Sequence, residues 1–164
     1  MKKIGLLSDT HNHWDKKYEE YFADCDEVWH AGDIGSLGLA VQFEAFKPFK
    51  AVYGNIDDTK VRSAYPEILR FETEGVDVLM THIGGYPGKY NPKIKGILQV
   101  SPPKLFICGH SHILKVIYDK QYGCLTINPG AAGLYGFHTV RTLLKFVLDK
   151  GQIKDLEVIE LANR

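Results

Sequence analysis

Short apolar runs, each closing on a polar side chain, recur six times along the chain. They are Ile-Gly-Leu-Leu-Ser-Asp9, Val-Trp-His-Ala-Gly-Asp33, Ala-Val-Tyr-Gly-Asn55, Val-Leu-Met-Thr-His82, Phe-Ile-Cys-Gly-His110 and Thr-Ile-Asn128-Pro-Gly. Runs of this length read as buried strands. In the first third, strands over Lys3 to Ser8, Glu27 to Ala31 and Lys50 to Tyr53 alternate with helices. The helices cover Trp14 to Ala23, where Trp14, Tyr18, Tyr21 and Phe22 recur at helical spacing, and Leu37 to Phe46. Two successive strand–helix–strand units predict a parallel sheet with right-handed crossovers.

The later pattern is different. Ile68 to Glu72 and Val76 to Met80 read as a hairpin turning at Thr73-Glu74-Gly75. A helix follows over Asn91 to Val100, ended by Pro102-Pro103, and then a strand over Leu105 to Cys108. Ile113 to Asp119 with Cys124 to Ile127, and Thr139 to Asp149 with Gln152 to Ile159, predict two more hairpins. A parallel half followed by an antiparallel half points to two sheets packed face to face with helices outside.

The length, 164 residues, fits a single domain over 1–164. Twenty acidic and twenty basic residues balance, so net charge gives no reason to expect nucleic-acid binding. No stretch reaches the roughly 20 apolar residues of a membrane span, and the N-terminal run is too short for a signal-peptide core. The expected location is the cytoplasm. Cys25, Cys108 and Cys124 lack C-x-x-C spacing and read as reduced structural residues.

The polar residues at the strand ends carry the chemistry. Asp9, His11, Asp33, Asn55, His82, His110 and His112 are oxygen and nitrogen donors at places where loops of such sheets converge. Asp9 and His11 stand two apart, as do His110 and His112, so in extended segments each pair projects to one side. Gly32 and Gly109 allow close backbone approach ahead of their donors. The set holds no thiolate. It suits two divalent ions, manganese first, with iron, zinc or nickel open. Two cations against two aspartates leave a positive site, suited to a phosphate ester.

The order D-x-H, G-D, G-N, H, G-H-x-H resembles the calcineurin-like metallophosphoesterases. The G-N-x-D form at Gly54 to Asp57 and the N-P-G-A segment at Asn128 to Ala131 resemble their small bacterial and archaeal phosphodiesterase branch. The resemblance implies a four-layer α/β/β/α sandwich of two mixed sheets. It implies that Asp9, His11 and His112 hold one metal, that Asn55, His82 and His110 hold the other, and that Asp33 bridges them. A hydroxide shared by the metals would attack phosphorus in line, with Asp33, Asn55 and His82 at the reacting centre. Many relatives have G-N-H, whose histidine helps the leaving group; here Ile56 stands there and offers no proton.

Five further residues carry two readings each. His13 either reaches the substrate phosphate or is solvated. His30 either supports a metal ligand or is a satisfied core histidine. Asp57 either orients Asn55 or caps the next turn. Asn128 either holds the His110–His112 loop or belongs to a plain turn. His138 follows the glycine-rich stretch Gly130 to Gly136 and either comes over the site or stays at the surface.

The implied activity is phosphodiester or phosphomonoester hydrolysis of a small substrate. The alternative is a protein-binding scaffold on the same fold. Oligomeric state is left open.

Overall fold

A computed structural model describes residues 1–162; residues 163 and 164 of the expected domain lie outside it. The first sheet contains β1 (Lys2–Leu7), β2 (Glu27–His30), β3 (Phe49–Ala51), β9 (Arg141–Asp149) and β10 (Gln152–Leu161), in the order β10-β9-β1-β2-β3. The second contains β4 (Ile68–Thr73), β5 (Val76–Thr81), β6 (Leu105–Ile107), β7 (Leu114–Asp119) and β8 (Cys124–Pro129), in the order β4-β5-β6-β8-β7. Helices α1 (Lys16–Tyr21), α2 (Leu37–Phe46), α3 (Thr59–Ala64) and α4 (Pro92–Val100) complete the described elements.

Three apolar clusters define four layers. Alternating residues of each strand face opposite ways. Ile4, Leu6, Trp29, Ala31 and Phe146 of the first sheet therefore meet Val78, Met80, Leu105, Ile107 and Ile127 of the second, forming the core between the sheets. Leu7, Val28 and Leu143 face outward and are covered by Tyr18 of α1, Phe43 of α2 and Val61 of α3. Leu79, Phe106 and Cys108 on the far face of the second sheet are covered by Ile94 and Leu98 of α4. Burying each such large side chain contributes about 1.5–3 kcal/mol. The architecture is the expected α/β/β/α sandwich.

The halves are distributed differently from the expectation. Each sheet mixes both pairing modes. β1, β2 and β3 are mutually parallel. The last hairpin returns to lay β9 antiparallel against β1 instead of joining the second sheet. In that sheet β5, β6 and β8 are parallel, flanked by antiparallel β4 and β7. Each sheet thus contains three adjacent parallel strands, running out to the β3 edge in the first and central in the second, and the donor loops all leave their C-terminal ends.

Helix ends follow the capping residues. The Asp15 side chain accepts from Lys17 N, so α1 starts after Trp14 rather than at it; Trp14 instead packs on Phe43. Ser36 caps α2, and Asn91 caps α4 with Pro92 behind it. Helix α3 was not expected. It has six residues with only Val61 buried, too short to show a stripe, yet Asp58 caps it at Val61 N. Cys25, Cys108 and Cys124 are free and buried. Among the described residues no helix is long and apolar enough to cross a membrane.

Candidate metal centre

The seven donors of the sequence reading converge at the shared end of the two sheets. Asp9 and His11 follow β1, Asp33 follows β2 and Asn55 follows β3. His82 follows β5, while His110 and His112 follow β6. Backbone bonds tie these loops together. Asp9 N donates to Gly32 O, His11 N donates to Asp33 O, and Gly109 N donates to His82 O.

The loops are not extended. Asp9, His11, Asp33, His110 and His112 all have positive φ, between 43° and 71°. The pairs two apart therefore meet through tight left-handed turns, which corrects the expectation of extended segments. Such backbone is strained for residues other than glycine and persists only where the surroundings hold it. The expected closeness at the glycines is present. A Cβ on Gly32 would lie 2.6 Å from His82 Nδ1, and one on Gly109 would lie 2.8 Å from Asp9 Oδ2.

Both carboxylates have one oxygen anchored and one facing inward. Asp9 Oδ2 accepts from Ser8 Oγ at 2.7 Å and from His110 N at 3.2 Å. Its Oδ1 lies 3.1 Å from His112 Nε2, 3.7 Å from His82 Nε2 and 3.8 Å from His11 Nε2. Asp33 Oδ1 accepts from Ile56 N at 3.1 Å, while its Oδ2 lies 3.1 Å from His82 Nε2 and 3.3 Å from His11 Nε2.

The His82 tautomer leaves several acceptors facing one another. His82 Nδ1 lies 2.8 Å from Ala31 O, and a carbonyl only accepts, so the ring proton is on Nδ1. Its Nε2 then points a lone pair at two carboxylates. Asp9 Oδ1, His11 Nε2 and His82 Nε2 are buried with no hydrogen-bond partner. Inward-facing acceptors of this kind repel one another unless protons or metal ions lie between them. Burial opposes charge on His11, but Asp33 and Asp9 outweigh it and raise its pKa to about 9. Burial likewise opposes charge on His82, which is raised by Asp33 and Asp9. Burial pushes Asp9 and Asp33 up, yet the facing imidazoles hold both well below the usual carboxylate range.

Two groups of three have the spacing of metal ligands: Asp9, His11 and His112, and Asp33, His82 and His110. Asn55 joins the second through its Oδ1, 3.0 Å from His110 Nδ1. Imidazole, carboxylate and amide donors without sulfur suit divalent ions.

Residues 1–151 match the calcineurin-like phosphoesterase superfamily domain. The chain belongs to that superfamily. It is 27% identical over 144 residues to a phosphodiesterase of Methanocaldococcus jannaschii, an alignment covering 78% of this chain and 82% of that protein. It is similar to the structure of an archaeal phosphodiesterase, with a TM-score of 0.78, 25% identity, and coverage of 97% of this chain and 99% of that one. It also shares its fold with Vps29 of Chaetomium thermophilum, with a TM-score of 0.74 at 11% identity and full coverage of both chains.

Around this calcineurin-like centre the five remaining residues separate. Asn128 does hold the histidine loop, as its Nδ2 donates to Gly109 O at 2.9 Å and to Ser111 Oγ at 3.1 Å. His138 comes over the site, its Nδ1 lying 3.2 Å from His112 Nδ1. His30 is a satisfied core histidine. It accepts from Gly32 N at 3.0 Å and pairs with Thr10 Oγ1 at 2.9 Å, and burial pushes its pKa down to about 3. Asp57 does not cap the next turn, which Asp58 does, and acts instead on the loop that carries Asn55. Its carboxylate accepts from Gly54 N, Ile34 N and Gly35 N, fastening the Asn55 loop to the Asp33 loop. His13 does not line the cavity that opens onto the centre.

Three residues escaped the sequence reading. Ser8 anchors Asp9. Thr10 connects His30 to Ile34 O. Tyr135 stacks on His11 with ring centroids 4.9 Å apart. Ser8 and Thr10 flank a candidate ligand, which is a readable signal. Tyr135 has none beyond its place in a glycine-rich loop.

Proposed function

We propose that the chain is a single-domain, dinuclear-metal phosphodiesterase acting on small phosphoesters. Asp9, His11 and His112 hold one divalent ion, Asn55, His82 and His110 hold the second, and Asp33 serves both. The observation carrying this reading is the pair of orphaned imidazole nitrogens, on His11 and His82, that face Asp9 and Asp33. Manganese is the proposed ion, with iron, zinc and nickel as competitors for the same donors. The free, buried cysteines accord with a cytoplasmic setting.

A bound pair of such ions polarises the phosphoryl oxygens and lowers the pKa of water from 15.7 to about 7. The protein's own residues do the positioning. Ala31 O fixes the His82 ring so that its Nε2 faces the centre. Ile56 N and Ser8 Oγ hold the carboxylates so that one oxygen of each faces inward. The donors carry only two formal negative charges, so with two divalent ions held there the site would stay positive and would suit a phosphodiester. Water then adds to phosphorus, one P–O ester bond breaks, and a phosphomonoester and an alcohol or phenol leave. Ile56 lines the mouth and offers no proton to the departing oxygen. Good leaving groups are therefore favoured, since general acid help is worth about 10²- to 10⁴-fold.

The scaffold alternative has only Ile56 in its support, because all seven donors are present. The test is hydrolysis of bis-p-nitrophenyl phosphate with added Mn²⁺, with chelator, and by the His82→Ala variant. Metal-dependent release of nitrophenolate that both treatments abolish is expected. No hydrolysis with any of the four metals would overturn the hydrolase reading.

A further inference from the structure

The cavity that opens onto the donors has a volume of about 790 Å³, within the range of small-molecule sites. Its outer wall is unlike its floor. Ile56, Ile113, Leu134, Tyr135 and Phe137 form the wall, and no lysine or arginine lines it among the described residues. Phe137 is fully exposed, Tyr135 is 70% exposed and Ile113 is 57% exposed. Exposed apolar side chains gathered at one cavity mouth mark a binding surface. Tyr135 is also held in place by its stack on His11, so an aromatic face stands directly beside the candidate ligands.

We infer that the substrate is a phosphodiester whose retained ester group is a flat, uncharged ring, packed against Tyr135 and Phe137 while the phosphate meets the donors. This rests on the hydrolase reading and narrows it. The phosphate charge is met at the floor. A second anionic group on the substrate would find no cation on the wall, which disfavours polynucleotides and polyphosphates. A methyl or other small ester group would leave the wall uncovered. A ring buries apolar area there and gains ring–ring contact.

The wall is tested with substrates that share one leaving group. Methyl, phenyl and thymidine-5′ p-nitrophenyl phosphates all release nitrophenolate and differ only in the retained ester. With Mn²⁺, kcat/KM for the phenyl or the thymidine ester is expected to exceed the methyl ester by about tenfold. The better of the two tells an aryl group from a nucleoside. Phe137→Ala is expected to bring the preference near unity, and Phe137→Tyr to keep it. Calorimetry with two unreactive probes gives a reading without turnover. Phenylphosphonate is expected to bind about tenfold more tightly than methylphosphonate.

Equal rates for the methyl and ring-bearing esters, or equal binding of the two phosphonates, would overturn the substrate class and leave the hydrolase reading standing. No hydrolysis and no phosphonate binding would overturn both. A dimer in sedimentation that Phe137→Ala dissociates would assign the wall to contacts between copies of the chain and overturn the inference.

Discussion

His138 Nδ1 lies 3.2 Å from His112 Nδ1, while His138 Nε2 lies 2.9 Å from Gly133 O. The carbonyl requires the His138 proton on Nε2, so its Nδ1 accepts and His112 Nδ1–H donates. His112 is thereby left with a bare Nε2, 3.1 Å from Asp9 Oδ1. A hydrogen bond that fixes a ligand's tautomer typically affects metal affinity by about 10–100-fold. His138→Ala should weaken binding at the Asp9 group by that order and leave the His82 group unaffected. Competition against a graded chelator would resolve the two affinities.

The metal-free protein should be most stable near pH 6.5. The folded pKa of His11, about 9, stands above its ordinary 6.5. Its stabilisation is therefore complete below pH 6.5 and lost as pH rises through about 9. His30 is depressed to about 3, so below pH 6.5 the unfolded chain takes a proton that the native one refuses. Stability then falls towards pH 3, by up to about 1.4 kcal/mol per pH unit from this residue. Thermal melts in chelator across pH 4–9 would show the dome, and His11→Asn should flatten its alkaline side.

Metal binding should show the reverse trend. His11 must lose its proton to become a ligand, so affinity at its group should rise by up to about tenfold per pH unit from 6.5 to 9. Calorimetric titration in buffers of different ionisation enthalpy would count the protons released.

Ile56 is expected to set which leaving groups depart. It lines the cavity and is 44% exposed, so a polar side chain of similar size fits without disturbing the core. Ile56→His should raise kcat on alkyl esters by about 10²-fold and change the nitrophenyl rate little. A plot of rate against leaving-group pKa should be steep for the natural chain and shallower for the variant.

Gly32 is constrained twice, by φ of 103° and by the His82 ring. Gly32→Ala should cost about 1–3 kcal/mol. In a chain of this size each kcal/mol is a Tm loss of about 2–4 °C. The metal-dependent rise in Tm should shrink with it.

Much of this was legible in the residues. Strand ends show because buried runs stop where a donor begins, as at Asp9, Asp33 and His82. The return of β9 to β1 was not legible, because pairing across more than a hundred residues leaves no local signal. Neither were the left-handed turns at His11, His110 and His112, since positive φ is announced by glycine and seldom by histidine. The tie that Asp57 makes to the Asp33 loop was hidden for a similar reason. Its partners Ile34 and Gly35 are distant in sequence.

The donors are proposed to enclose two ions. Anomalous scattering from crystals soaked in Mn²⁺ tests this directly. Two peaks are expected, one beside Asp9, His11 and His112 and one beside Asp33, His82 and His110. A pocket without peaks at saturating Mn²⁺, or a single peak that His82→Ala leaves in place, would contradict it.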